Sequence, residues 1–483
     1  MSVSYLFLEI MVVLTGLGLL LIDLWTPAVH KRRLGYAAAA VTALILALSF
    51  SKMVDPGAPV HAFGGLFVQD AFALFFKRFF LVAAVLVLLM EVEFADRIPA
   101  GITEYYAVTL FALAGMMTAA SANDFTLLFV ALELMAVTFY VLASFQRSRV
   151  VSLEAGVKYL ILGALSSAIL VYGIALIYGS TGTMNFTKIA EQSARLKESK
   201  IAVLGFLFVL VGLGFKVGVV PMQIWVPDVY QGAPTPTSAF LAVGSKAAGF
   251  ALLLRVLHGA APEVALSWER LLMILSGLTI LYGSLCAIPQ RNLKRLLGYS
   301  SIANAGYLFI GVSVGTLSGA SAVLYYLAGY LFAVVAAFFV ICVVSKTHDS
   351  EDISELAGLW NRSPLLASVL SLSMVSLAGV PPLAGFFGKF LLLKAAAEQA
   401  VSYPGYYVLL SVAVVGVVIS VYYYFGVVRA IFWSRDDQEL SAIPISRPVK
   451  AALWVCVAGM VLLGVLPSWG VRVTAAAAGM LKF

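Results

Sequence analysis

Charge is scarce in this sequence. Asp, Glu, Lys and Arg make up 11% of its 483 residues, where a soluble domain carries about 25%. Cysteine is scarcer still. Cys286, Cys342 and Cys456 lie singly inside apolar runs with no CxxC pair, so they read as small core residues and say nothing of redox compartment. The four histidines (His30, His61, His258 and His348) are dispersed near the ends of apolar runs, which argues against haem or a metal site. There is no Walker A string and no HExxH. GLGFKVG is no dinucleotide fingerprint, because it lies inside an apolar run with no strand before it. No redox centre is indicated, so energy must come from a partner or an ion gradient. The net charge of +7 comes without a basic block interleaved with aromatics, which excludes nucleic acid as a partner.

Apolar residues fill the space that charge leaves. The chain is 62% hydrophobic with a mean hydropathy of +1.00, which makes it an integral membrane protein. A spanning helix needs about 20 such residues. Fourteen apolar runs meet or approach that length, near 5–25, 34–50, 66–90, 105–122, 125–146, 155–179, 201–222, 237–258, 271–289, 297–316, 319–345, 363–398, 406–433 and 451–470. The first lacks a basic leader and a small-residue cleavage site and is read as a retained helix. The predicted fold is an all-α polytopic membrane protein of about 14 transmembrane helices in one integral membrane domain, 1–483. The longest polar loop is 180–200.

Two runs are interrupted. The seventh ends in GFKVGVVP, where Lys216 precedes Pro221 and a polar, tryptophan-bearing stretch follows. The twelfth is too long for one straight helix and holds LAGVPPLAGFFGKF, with Pro381 and Pro382 in its middle. Proline removes a backbone donor, and an unwound backbone at membrane depth is tolerated where it lines protein or water. The two breaks are five spans apart. That spacing predicts two inverted five-helix repeats, helices 4–8 (105–258) and 9–13 (271–433), after three N-terminal helices (1–104) and before a final helix (451–470).

With both termini on one side, fifteen of the 31 Lys and Arg residues fall in loops on the opposite side. They are Lys31, Arg32, Arg33, Arg97, Arg147, Arg149, Arg291, Lys294, Arg295, Lys346, Arg362, Arg429, Arg435, Arg447 and Lys450. Nine fall on the side of the termini: Lys52, Lys188, Arg195, Lys197, Lys200, Arg255, Arg270, Arg472 and Lys482. The positive-inside rule then puts both termini outside, in the periplasm of a Gram-negative cell.

Seven cations remain within spans: Lys77, Arg78, Lys158, Lys216, Lys246, Lys389 and Lys394. Each costs about 2.5–3.5 kcal/mol at mid-membrane on insertion scales, so each should face the protein interior, find a partner or snorkel. Lys216 stands among Gly212, Gly214 and Gly218, which permit close helix approach, and Glu133 in the fifth run is the acid expected to partner it. Lys246 lies about ten residues into its span among small residues, too deep to snorkel easily. Lys389 repeats the pairing of a lysine with a break, and Lys394 snorkels from nearer the helix end. Lys158 carries two readings, relay and interfacial anchor. Of Lys77 and Arg78, at least one serves packing or lipid headgroups. Burial favours a neutral lysine and a nearby carboxylate favours the charged one, so a row of such lysines is a proton wire. Ser300, Ser301, Asn304 and Tyr307, with Tyr325 and Tyr326, supply hydroxyls and an amide to hold bridging waters. Ordinary interhelical hydrogen bonding is the competing reading of those groups.

The strings ALELMAVTFYVLASFQR, SLEAGVKYLILGALSSAILVYG, GFKVGVVPMQIWVPDVYQGAPTPTSAFLAVGSKAAGFALLLR, QRNLKRLLGYSSIANAGY and LAGVPPLAGFFGKF resemble the antiporter-like membrane subunits of proton-pumping NADH–quinone oxidoreductase, respiratory complex I. APTPTSAFLAVGSKAAGF favours the subunit N branch. The resemblance implies fourteen helices with broken helices 7 and 12, and a membrane-arm proton channel that couples quinone reduction elsewhere to proton movement. It implies relay roles for Glu133, Lys216, Lys246 and Lys389, with Lys158 resembling the family's sixth-helix lysine. It also implies no cofactor in this chain, NADH, FMN, iron–sulfur clusters and quinone being held by partner subunits. The partners would be the other membrane-arm subunits and the lipid bilayer, and the location a bacterial inner membrane. The alternatives are a stand-alone or Mrp-type cation/proton antiporter, and a structural subunit whose lysines only pin helices.

Overall fold

The structure, a computed structural model, describes residues 2–51, 54, 57–98, 100–348, 350–433 and 442–481. Lys52, Arg435 and Lys482 of the loop-charge reading lie outside the described residues. All fourteen apolar runs fold as helix: Phe7–Asp23, Lys31–Leu48, Ala71–Phe94, Ile102–Ala120, Phe125–Ala143, Val150–Thr181, Lys200–Val217, Thr235–Ala260, Glu269–Ala287, Leu293–Val314, Leu317–His348, the pair Pro364–Ala378 and Ala384–Ala400, Gly405–Trp433 and Arg447–Val465. Among the described residues, eleven of these helices are long and apolar enough to cross a membrane unaided. The second, fourth and twelfth complete the bundle. We number the spans in this order.

The two breaks are built alike. Lys200–Val217 ends on Gly218, whose φ of 75° is a left-handed conformation that suits glycine. Val220–Pro221 is a cis peptide, and a second short helix, Trp225–Gly232, resumes. Pro364–Ala378 ends on Gly379 at φ 89°, Pro381–Pro382 is cis, and Ala384–Ala400 resumes. Lys216 precedes its break and Lys389 follows its own.

Burial sorts the helices. The apolar stretch of the eighth span, Thr235–Ala260, is buried throughout, whereas those of the first and sixth spans bury 28%. The eighth span carries two π turns, Leu241–Ser245 just before Lys246 and Arg255–Ala260 at its close. Small residues bring neighbours into backbone contact: a Cβ on Gly173 would stand 2.6 Å from the Gly205 carbonyl oxygen. This is how the sixth and seventh spans close without bulky side chains between them.

Several expectations from the sequence are corrected. Residues 66–70 do not begin the third helix. A two-stranded antiparallel hairpin pairs Val60–Ala62 with Phe67–Gln69, and Asp70 then caps the helix by accepting from the Ala73 amide at 2.7 Å. The 180–200 loop contains two short helices, Phe186–Ala190 and Ser193–Leu196. The last run is followed by a further helix, Pro467–Ala478.

Arg255 and Lys294 are not solvent-facing loop cations, because both are buried in ion pairs. Arg255 binds Asp70 through two nitrogens at 2.8 Å each and donates to the Ala120 carbonyl at 3.1 Å. Lys77 is wholly buried, 2.7 Å from Glu9 and 2.6 Å from Gln69 Oε1. Arg78 donates to the Ser49 carbonyl and lies over the Phe50 ring. Lys394, beside Glu398, is exposed.

Lys294 donates to the Ala233 carbonyl at 2.7 Å and pairs with Glu351 at 3.1 Å. Glu351 belongs to the loop that clamps the start of the tenth span through Leu293 N to Glu351 O and Ile353 N to Arg291 O. Burial alone would raise the Glu351 carboxyl, but the Lys294 ammonium outweighs it and holds the group below its ordinary 4.5. A depressed folded value means that the stabilisation is full above the ordinary value and is lost as pH falls through the lowered one. Amide protection at Leu293 and Ile353, corrected for intrinsic exchange, should therefore hold above pH 4.5 and drop in stronger acid. Glu351→Gln should remove that pH dependence, and protection that is flat into acid in the wild type would refute the clamp.

Candidate functional site

Lys216 is the last residue but one of its half-helix and is 3% exposed. Among the described residues its Nζ has no hydrogen-bond partner, and it lies 5.7 Å from the Tyr159 ring centre and 5.9 Å from that of Tyr140. The negative faces of two aromatic rings are a weak substitute for a carboxylate. Tyr159 stacks on Trp225 at 4.6 Å, and Trp225 Nε1 donates to the Phe215 carbonyl at 2.9 Å, one residue before the lysine. The half-helix beyond the break thus reaches back to fix the end that carries Lys216.

Glu133 differs from expectation. It is half-buried, takes a short hydrogen bond from the Ser167 hydroxyl of the sixth span, and makes no ion pair with Lys216 within 4.0 Å among the described residues. The reason is helical phase. Val130, Leu134, Val137 and Val141 form the outward face of the fifth span, and Glu133 sits at its edge.

Lys246 is 2% exposed and donates to both the carbonyl and the hydroxyl of Ser301. Ser301 Oγ shares a hydrogen bond with Tyr230 at 3.2 Å. The helices of Lys216 and Lys246 touch, since a Cβ on Gly249 would stand 3.3 Å from the Lys216 Cβ and 2.8 Å from Val217. One residue from Ser301, Ser300 shares a short hydrogen bond with Tyr424. Asn304 reaches Ser300 Oγ at 3.4 Å and accepts from Tyr326 at 2.8 Å. The buried Lys389 donates to the Leu377 and Ala378 carbonyls at 2.8 and 3.2 Å, the negative end of the first half of its broken span. Its Nζ lies 4.9 Å from the Tyr307 ring centre. A Cβ on Gly388 would meet Tyr326 at 2.3 Å, so the serine–tyrosine–asparagine network abuts the helix of Lys389.

Lys158 stands apart. Its side chain is 43% exposed and pairs with Glu154 at 2.7 Å and Asp228 at 2.8 Å, while Asp228 also binds Arg295 at 2.6 Å. Asp228, on the half-helix beyond the first break, joins the sixth, seventh and tenth spans. Sequence reading passed over it, although it stands in WVPDVY, because it lies beyond the apolar run and its partners Lys158 and Arg295 are distant in the chain. Tyr424 in VYYYFG was passed over as one tyrosine of three. Tyr325, read as a water holder, instead donates to the Leu463 carbonyl. Among the described residues no three His, Cys, Asp or Glu side chains gather as a metal site.

The family model described as NADH:quinone oxidoreductase/Mrp antiporter, TM, matches residues 122–420, a stretch that holds Glu133 and all four candidate lysines. A protein of Heliobacterium modesticaldum named NADH-quinone oxidoreductase subunit N is 41% identical over 470 residues, 97% of each chain. The chain belongs to the NADH-quinone oxidoreductase subunit N family. A chain of respiratory complex I from Thermus thermophilus with bound aureothin superposes with a TM-score of 0.81 at 33% identity, covering 97% of this chain and 99% of that one. A chain of the Mrp complex from Dietzia superposes with a TM-score of 0.86 at 22% identity over 100% of this chain and 98% of its own, which shows the shared fold alone. Subunit N membership and the antiporter-like fold thus agree with the broken spans and the buried lysines.

Proposed function

We propose that this chain is a proton-translocating membrane-arm subunit of NADH–quinone oxidoreductase, and that Glu133, Lys216, Lys246 and Lys389 carry the proton. The observation that carries the reading is the row of three buried lysines, with the Ser301, Ser300, Tyr424, Asn304 and Tyr326 groups lying between the second and third. Buried cations in a bundle this apolar are costly, and they persist where they do work. Quinone reduction elsewhere in the complex changes the field at Glu133. Drawing negative charge away from Lys216 withdraws support from its ammonium, and the proton passes towards Lys246 and Lys389. Lys158, held between two carboxylates at the helix end, acts as an electrostatic anchor for the half-helix of Asp228.

The partners in this reading are the other membrane-arm subunits, and the NADH, FMN, iron–sulfur and quinone sites belong to partner subunits. The chain lies in a bacterial inner membrane with both termini outside. Support for that orientation comes from the cluster of Arg32, Arg97 and Lys346 around Glu93, Asp96 and Ser345 at the opposite end of the bundle. The two inverted five-helix units, 105–258 and 271–433, find support in the matched breaks.

Lys216→Ala in this chain, assayed in membranes for proton pumping and quinone reduction side by side, should lose more than nine-tenths of both while the complex still assembles. Normal rates with a normal proton-to-electron ratio would make Lys216 structural and remove the proposal. Sodium transport by the isolated chain would favour the antiporter alternative.

A further inference from the structure

Five carboxylates lie on or against the third span and its continuation to Arg97. Four of them have a cation. Glu9 pairs with Lys77 at 2.7 Å, Asp70 with Arg255 at 2.8 Å, Glu93 with Lys346 at 2.7 Å and Asp96 with Arg32 at 3.2 Å. The fifth, Glu91, has no cation within 4.0 Å among the described residues and is 1% exposed. Its Oε1 accepts from the Thr109 hydroxyl at 2.6 Å, and its Oε2 is buried without a donor among the described residues.

The elements packed around Glu91 bring little charge to it. The fourth span contributes Thr109 and the Tyr105 and Tyr106 rings, its Glu104 being exposed. Tyr106 OH is likewise buried without a partner among the described residues, and Tyr105 shares a hydrogen bond with Thr237 at the start of the eighth span at 2.6 Å. The second span brings Arg32, and the eleventh brings Cys342 and Lys346. Arg32 and Lys346 are held at the basic end by Glu93 and Asp96. An ionised carboxylate in that setting would be uncompensated, which is the costliest way to bury the group. A neutral acid fits, with its own O–H to donate.

We propose that Glu91 is a proton-binding site separate from the lysine path: a neutral carboxylic acid that exchanges its proton with water at the basic face. Glu93, two residues and so about 3 Å further along the same helix axis, is already part of the charged cluster at that face, which puts Glu91 within a turn of it. The transfer moves a proton alone. The acid O–H breaks, the proton leaves to water at the Glu93 end, and the Thr109 hydroxyl holds the remaining carboxylate until another proton arrives. The site stands whether or not the lysine path conducts, so its test is spectroscopic.

Infrared difference spectra of the assembled complex, wild type minus Glu91→Gln, should show one protonated-carboxyl C=O band that moves to lower frequency in D2O. Thr109→Val, which removes the hydrogen bond but keeps the acid, should raise the frequency of the same band, and it carries the test if Glu91→Gln does not assemble. Absence of an acid band in both differences would mean an ionised Glu91. A band unmoved by D2O would mean a sealed structural acid. Either result overturns the proposal.

Discussion

Membranes carrying Arg255→Ala in this chain should hold only a small fraction of the normal amount of assembled complex. The guanidinium is gripped twice by Asp70 and once by the Ala120 carbonyl, and it lies over the Phe72 ring. Asp70 lies just outside the third span and is 4% exposed. Burial alone would raise its carboxyl, and Arg255 with the Ala73 amide holds it below the ordinary carboxylate range. Truncating one partner leaves the other as an unpaired buried charge, a loss of about 3–5 kcal/mol, comparable with much of a fold's net stability. Lys77 cannot take over, because Glu9 and Gln69 already hold it. Arg255→Met combined with Asp70→Asn should recover much of the loss, since neither change then strands a charge and Asn still caps the helix. Blue-native gels of the three membranes would measure this. Equal complex in the single variant and the wild type would show that the pair contributes nothing to assembly.

Gly464→Ala should impair pumping without touching a titratable group. Gly464 closes the fourteenth span against the second break. A Cβ there would stand 1.9 Å from the Pro382 carbonyl oxygen and 2.8 Å from the Leu383 backbone. No side-chain rotation relieves a clash with backbone, so the break must move. Overpacking of this kind costs about 1–3 kcal/mol. The displaced segment leads into Lys389, whose Cδ would lie 3.0 Å from a Cβ on Gly379 and whose Nζ is fixed by the Leu377 and Ala378 carbonyls. The expected result is complex in near-normal amount with a reduced proton-to-electron ratio. Gly459→Ala supplies a control of similar severity away from the break, because the atoms nearest the Cβ it adds belong to the Phe332 ring. Matching ratios in the two variants would sink the idea that the break positions Lys389.

The helices were legible because a bilayer imposes a length, and fourteen runs near that length became fourteen helical spans, the twelfth of them as two halves. The breaks were legible because proline in an apolar run has few other meanings. Facing was not legible. Position within a run gives depth, which is why Lys216, Lys246 and Lys389 were expected inside, but rotation about a helix axis is set by neighbours the sequence does not name. Glu133 and Lys158 stand nearer the outer surface than their depth suggested for that reason. Arg255 and Lys294, placed in loops by their nearness to helix ends, are buried because distant carboxylates at Asp70 and Glu351 await them. Ion pairs across 185 and 57 residues leave no local trace in the chain.

The two cations of the eighth span meet their partners at different times during synthesis. Arg255 emerges after Asp70, which precedes it by 185 residues and is already in the bilayer. Lys246 binds Ser301, made 55 residues later. At about 5–20 residues per second that is a wait of roughly 3–11 s. During it the helix that ends as the most enclosed of the bundle has one cation satisfied and one still seeking an oxygen. The ion pair at its far end can thus form with the N-terminal helices before the second half of the protein has been made.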